Sequence, residues 1–521
     1  MSTPARTLRL RPPARGRAAD LWRVLAAPAP ALAVAVLAVA FGLGVLLAYS
    51  LPLGLALVAA LCLAPVALLD LPRGLALLIV IVFVRALPGG SLGVRALFVL
   101  LALSWLAALT RGSVVAEAAR RHRRLISAVV LLLAWLALSL TWARAPGPAL
   151  EMLWYWVGAG LVLVVTATSV KRADHLRLVT TAFVAAAVIS TLAGFVTSGF
   201  SPPPGDSLTA QGGRLQGGQG DPNFLAAALP AAMALACGLM AGTRSAFARL
   251  ALLAAIPVLA LGLATSGSRG GLLAAVITLL AGIGFARRGR GMVAGLALVA
   301  IVVGGLWFAS QPALWARVTA GSDGGSGRTD LWIVARAMAA DHPLSGVGLD
   351  NFTVRSQEYV REVGPLDAVR LISEQRQVVH NAYLQMLAEG GAVGLVLMLA
   401  VMLACLTATR AAVHRFRRNE ERSLEALSVA VLAATLGMLT ASLFLSNGQD
   451  LRLWLLLGLG PSLLALSQAR QAAANRQPRS RRSRRGRPAS WRASPTLGTR
   501  SRGATSRARA KITTMVAPPA A

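Results

Sequence analysis

Four segments carry polar residues in a chain otherwise short of them. GGRLQGGQGDPNFLAAALP contains Arg214, Asp221 and Asn223, and TSGSRGGLLA sets Arg269 in a short Gly/Ser turn. GSGRTDLWIVARAMAADHPLSGVGLDNF opens on Arg328, and VVHNAYLQMLAEGGAVGLVLMLA holds His380 and Asn381. A guanidinium stays charged and grips phosphate oxygens with a planar fork, so arginines gathered over one face suit a phosphate-bearing ligand. The GSRGG turn aims backbone N–H groups and the start of a helix at the same kind of anion. Histidine supplies a base near neutrality.

Each residue also has a plainer reading. Arg269 could be an interfacial anchor whose stem lies in lipid, Arg214 and Arg328 ordinary loop residues, and His380 a helix-start residue satisfied by backbone. His342, before a proline in a turn, reads as structural; His122, His175 and His414 lie in basic loops and need no catalytic account. Very few of the 52 basic residues are lysine, so position rather than arginine identity carries the argument.

The elements that must position these groups are membrane helices. Of 521 residues, 56% are hydrophobic and 14% charged, with a mean hydropathy of +0.65, which excludes an ordinary soluble protein. Apolar stretches recur near residues 26–48, 51–68, 74–86, 94–109, 125–142, 153–168, 177–198, 223–240, 249–264, 270–285, 292–309, 382–406, 424–446 and 451–468. Each is about long enough to cross a hydrocarbon core as a helix. The fold expected is an all-α polytopic transmembrane bundle of about 12–14 spans, with a large extracytoplasmic loop containing short helices.

The formal charge of +32 is distributed as the positive-inside bias predicts. With the N-terminus in the cytoplasm, alternate loops carry Arg73, the Arg111–Arg124 run, Lys171–Arg177, Arg244–Arg249, Arg287–Arg290 and Arg410–Arg422. An even span count then keeps both termini cytoplasmic. The expected divisions are a basic tail at 1–25, N-terminal spans at 26–198, a membrane domain at 199–468 with its extracytoplasmic loop at 310–381, and a basic tail at 469–521. The last has many arginines and no acid, so it is read as disordered and attracted to anionic lipid; nucleic acid is not a favoured partner. Cys62, Cys237 and Cys405 all fall inside apolar stretches, against a disulfide framework or a thiolate metal site.

Taken together, GRLQGGQGDPN, TSGSRGG, GRTDLW with HPLSGVGLDNF, HNAYLQMLAEGGAVGL and the late QDLRLWLLLGL resemble the O-antigen ligase and polymerase superfamily of bacterial envelope glycosyltransferases. The resemblance covers roughly Arg214 to Leu457. It implies an inner-membrane enzyme with an active site facing away from the cytoplasm and an undecaprenyl-diphosphate-linked glycan as donor. By motif, Arg214 and Arg269 look like the arginines that hold the donor diphosphate, and Arg328 like a supporting basic residue. His380 looks like the histidine that activates the acceptor hydroxyl; Asp221, Asn223 and Asn381 support the site. The acceptor is a glycan, lipid or protein. A basic tail and a count near fourteen spans depart from the family pattern.

That chemistry calls for no cofactor and no metal. The diphosphate leaves as a stable anion, cation pairs can stabilise it, and the external segments contain no DxD pair. Attack opposite the leaving group would invert the anomeric centre. Alternatives remain at this stage: a polymerase joining lipid-linked repeats, attachment of glycan to protein side chains, and, from another class, an anion or solute transporter. The last would place ionisable groups in mid-span, whereas the apolar stretches contain almost no acids.

Overall fold

The computed structural model describes residues 50, 64–86, 90–111, 113–198, 214–287, 289–310, 328–363 and 377–476. Twelve of the fourteen expected spans fall on these residues, and each coincides with a helix. The stretch 26–48 and most of 51–68 lie outside the described residues, as does the basic tail beyond Arg476.

The helices run α1 Leu71–Phe83, α2 Gly90–Thr110, α3 Val114–Arg121, α4 Arg123–Leu138, α5 Pro146–Ser169, α6 Ala173–Ser198, α7 Pro222–Met240 and α8 Ala246–Ser266. They continue as α9 Arg269–Phe285, α10 Arg290–Ala309, α11 Arg328–Asp341, α12 Phe352–Glu362, α13 Ala382–Arg418, α14 Arg422–Ala441 and α15 Leu451–Arg476. Nine of the described helices are long and apolar enough to cross a membrane, while α1 and α9 are shorter apolar helices. No strand occurs among the described residues. The protein is a polytopic all-α membrane protein.

Side chains of α7, α14 and α15 are buried on nearly every face, whereas α2, α4 and α8 leave apolar residues such as Leu103, Leu131 and Leu250 outward. The first group is therefore the centre of the bundle and the second its lipid-facing rim. Small residues bring the central helices together. A Cβ on Gly238 of α7 would lie 2.5 Å from Ala430 of α14, and one on Gly271 of α9 would lie 2.6 Å from Ala226 of α7. Close backbone approach replaces the hydrophobic drive that lipid cannot supply.

Basic stretches read as loops are partly helical. Residues 114–121 form α3, capped by Ser113, and α13 runs to Arg418 because nothing breaks the helix before Asn419. Likewise α15 continues to Arg476. The compact unit spans residues 1–471, and residues 472–521 form a second unit of which only the end of α15 is described.

The segment between α11 and α12 docks on α13 through backbone. Val347 and Gly348 donate to the Ala388 and Glu389 carbonyls at 2.9 Å, and Ala392 donates to Pro343 O at 2.8 Å. These bonds meet α13 at a kink where Gly391 has φ 66° and ψ −172°. Its left-handed backbone suits glycine, and a Cβ there would collide with the Leu344 carbonyl. Buried Glu389 holds the same junction, accepting from Asp350 N at 3.0 Å and Gln385 Nε2 at 3.1 Å. Above it, Leu331, Val334, Met338, Val347, Phe352 and Tyr359 form a separate small core between α11 and α12.

Candidate active site at one end of the bundle

The N-termini of α7, α9 and α13 lie at one end of the bundle, and each is capped by a side chain. Asp221 accepts from Asn223 N and Phe224 N, Ser268 from Gly271 N, and Asn381 from Tyr383 N and Leu384 N. These helices pack against α14, whose C-terminus ties to α13 through Ala382 N donating to Ser442 O at 2.9 Å and Tyr383 Oη donating to Leu439 O at 2.8 Å. Helix N-termini present partial positive charge, so their gathering favours an anion.

Arg214 is only 6% exposed. Its Nε donates to Ser266 O at 2.7 Å and its Nη2 to Asn223 Oδ1 at 2.8 Å, while Leu215 N donates to Thr265 O at 3.2 Å. It therefore joins the start of the 214–223 segment to the α8 C-terminus. Gly267, at φ 57°, turns the chain there, and Arg269 follows as an exposed side chain at the first position of α9. The next residue, Gly270, leaves room for the Phe444 side chain, 3.0 Å from where a Cβ would stand.

His380 precedes the α13 cap in a left-handed conformation, φ 55°. Asn381, not His380, caps the helix, so the imidazole is not consumed in helix initiation. The His380 N–H donates to Ser446 Oγ at 2.9 Å. Burial and the nearby Arg328 guanidinium push the imidazole down to about 4, while Asp221 pulls it up. Desolvation and a cation thus both disfavour the imidazolium, below the neutrality expected of a base from sequence. Arg328 begins α11, with residues 311–327 before it outside the described residues.

Direct contacts join some of these groups, and charge acts between others. Arg214 touches Asn223, Asp221 influences His380 alongside Arg328, and the turn after α14 meets both Gly270 and His380. His342, in the turn after α11, has Nε2 3.1 Å from Arg355 Nη1.

Three further polar residues occupy this end without having been given a role from sequence. Asp450 and Arg452 form a buried pair at the start of α15, with Nε donating to Oδ1 at 2.9 Å and the guanidinium 5.3 Å above the Phe83 ring. Arg85, just past α1, stands 5.6 Å over the Phe224 ring. The signal for Asp450 and Arg452 was an acid and a base opening the apolar run of QDLRLW; for Arg85 it was an arginine on the end of a span opposite Arg73.

Residues 253–399 match the family model described as O-antigen ligase, a stretch that includes Arg269, Arg328, His380 and Asn381 and stops short of Arg214 and Arg452. No curated protein matches the chain. The matched stretch runs from α8 into α13, so this part of a chain rich in apolar helices is similar to the O-antigen ligase family.

Proposed function

We propose that the protein transfers a glycan from an undecaprenyl-diphosphate carrier to an acceptor hydroxyl at the end of the bundle holding His380, and that this end faces away from the cytoplasm. The arginines support this orientation: Arg73, Arg120–Arg124, Arg244, Arg287 and Arg415–Arg422 all lie at the opposite helix ends, where the positive-inside bias puts the cytoplasm. The single observation that carries the reading is His380 at the capped N-terminus of α13, tied to Ser446 and within electrostatic reach of Arg328 and Asp221.

In this reading the acceptor oxygen attacks sugar C1, the bond from C1 to the phosphate oxygen breaks, and the acceptor proton passes to an imidazole nitrogen of His380. The electron pair leaves on the carrier diphosphate, so no general acid is required. Arg269 and Arg328 stabilise the charge developing there, together with the N-terminus of α9. Arg214 supports the diphosphate site by fixing the turn that presents Arg269. Displacement from the opposite face inverts the anomeric centre, and this chain's own residues supply the whole catalytic set without a metal.

Binding of the diphosphate also offsets the part of His380's weak basicity that Arg328, rather than burial, causes. Negative charge beside Arg328 offsets the cation that depresses the imidazole, raising its proton affinity when the acceptor must be deprotonated. The test is transfer by purified protein given an undecaprenyl-diphosphate-linked glycan and candidate acceptors. His380→Ala should stay membrane-inserted and nearly abolish transfer, and Arg269→Lys should be strongly impaired. Undiminished transfer by both variants would refute the assignment. Product length separates a polymerase, which extends one lipid-linked repeat with another, from a ligase, which delivers a finished chain.

A further inference from the structure

The corner made by the end of α1, the 217–221 turn and the start of α15 has buried polar atoms that the proposed reaction does not use. Gln219 Nε2 donates to Val82 O at 2.9 Å and Ala86 N to Gly218 O at 3.0 Å, so the first two segments are joined. Arg452 joins the third by stacking on Phe83, two residues before Arg85. Arg452 lies inside this corner, 1% exposed, and Arg85 stands at its surface.

Three atoms here are buried without a hydrogen-bond partner: Nη1 of Arg452 and both amide atoms of Asn447, itself fully buried. Native proteins rarely leave such groups unmatched, and a charged group least of all. Asp450 engages Arg452 through Nε and Nη2, leaving Nη1 over. Asp221 accepts from the α7 amides through Oδ1, and although Asp450 and Asp221 act on Arg85 at longer range, no ion pair ties Arg85 to a carboxylate among the described residues. Two guanidinium groups thus share a corner in which the one paired acid is already committed, and each lowers the cost of bringing an anion to the other.

We propose that Arg85 and Arg452 form a second anion subsite, for the phosphoryl group of a lipid. Arg85 contacts the phosphoryl oxygens, and Arg452 positions it from within and contributes positive field. A phosphoryl group is the anion that meets a guanidinium at the end of an apolar helix, because lipid phosphates lie at that depth. The source is either a lipid diphosphate of the donor class or an anionic phospholipid headgroup. The inference does not rest on glycosyl transfer.

Full-length protein in detergent, titrated separately with undecaprenyl diphosphate and with dioleoylphosphatidylglycerol, gives the test by native mass spectrometry. Arg85→Gln should weaken one of the two lipids about tenfold, as for loss of a charge-assisted contact. Loss confined to the diphosphate assigns the subsite to the donor, and loss confined to phosphatidylglycerol assigns it to the bilayer. Arg452→Lys should weaken the same lipid, and the double variant should bind little worse than the poorer single one. Arg85→Lys leaves the buried pair untouched and should recover part of the loss, whether or not Arg452→Lys folds. Unchanged affinity of Arg85→Gln for both lipids, or fully multiplicative losses in the double variant, would overturn the proposal. Since binding is read without transfer, failure of the glycosyl-transfer reading would not touch this result.

Discussion

The backbone N–H of His380 donates to Ser446 Oγ at 2.9 Å, tying the residue before α13 to the turn that follows α14. His380 also holds a left-handed backbone, a conformation that costs a non-glycine residue on the order of 1 kcal/mol or more unless its surroundings fix it. Ser446 is one of those surroundings. Removing its hydroxyl leaves a half-buried donor unmatched, worth about 1 kcal/mol, and frees the imidazole to drift. Ser446→Ala should insert normally and lose several-fold to about tenfold in transfer rate, whereas Ser446→Thr should retain most activity. An unchanged rate in Ser446→Ala would show that the bond does not position the base.

The depressed imidazole sets a pH dependence. With a value of about 4, His380 is neutral in the free protein above that pH, so kcat/KM should stay level on acidification to about pH 4 and then fall. The donor complex differs, because diphosphate beside Arg328 favours the imidazolium. The acid limb of kcat should therefore lie at higher pH than that of kcat/KM. Arg328→Gln removes the cation from the free protein and should shift the kcat/KM limb upward. A limb that ignores this substitution would remove Arg328 as a cause of the depression, and a limb unchanged in His380→Gln would remove the base assignment.

How much of this was legible in sequence depends on what each residue's signal was. Span positions were readable because a single segment can satisfy its own backbone in lipid only as a helix, and length with hydropathy identifies such helices. Helix ends were less so: Arg410–Arg418 are charged, yet helix continues through them because charge alone does not break it. At the site, His380 stood out by motif, but its left-handed backbone and partner Ser446 arise from contacts 66 residues apart. Glu389 sat within an apolar stretch and was passed over, although its carboxylate organises the docking of residues 346–350. Arg214 was read for its charge, and its burial shows that it also serves as a staple.

That docking makes Gly391 a sharp test of the kink. A side chain there would meet both an unfavourable left-handed φ and the Leu344 carbonyl. Gly391→Ala should lower stability by roughly 2–3 kcal/mol and loosen residues 343–350, read as a reduced melting temperature and faster hydrogen exchange in that segment. Gly284→Ala in α9 is the control, since nothing lies within 4 Å of its added Cβ. It should be neutral or slightly stabilising. Equal effects at the two positions would mean that the docked kink is not a constraint.

Arg214 and Asn223 give a prediction about how the turn carrying Arg269 is held. One guanidinium serves two acceptors in different directions, Ser266 O through Nε and Asn223 Oδ1 through Nη2. An ammonium group is a point donor on a flexible stem and cannot reproduce that fork. Arg214→Lys should therefore cost roughly 1–3 kcal/mol of stability and raise the donor KM, because the α8–α9 turn loses its brace. Asn223→Ala removes only the Nη2 acceptor and should cost less. If the two residues act through one bond, the double variant will be less destabilised than the sum of the singles, with a coupling of about 1 kcal/mol measurable by thermal unfolding in detergent. Additive losses would instead separate Arg214 from Asn223. A raised KM in Arg214→Lys with no loss of stability would move Arg214 from brace to direct ligand of the diphosphate.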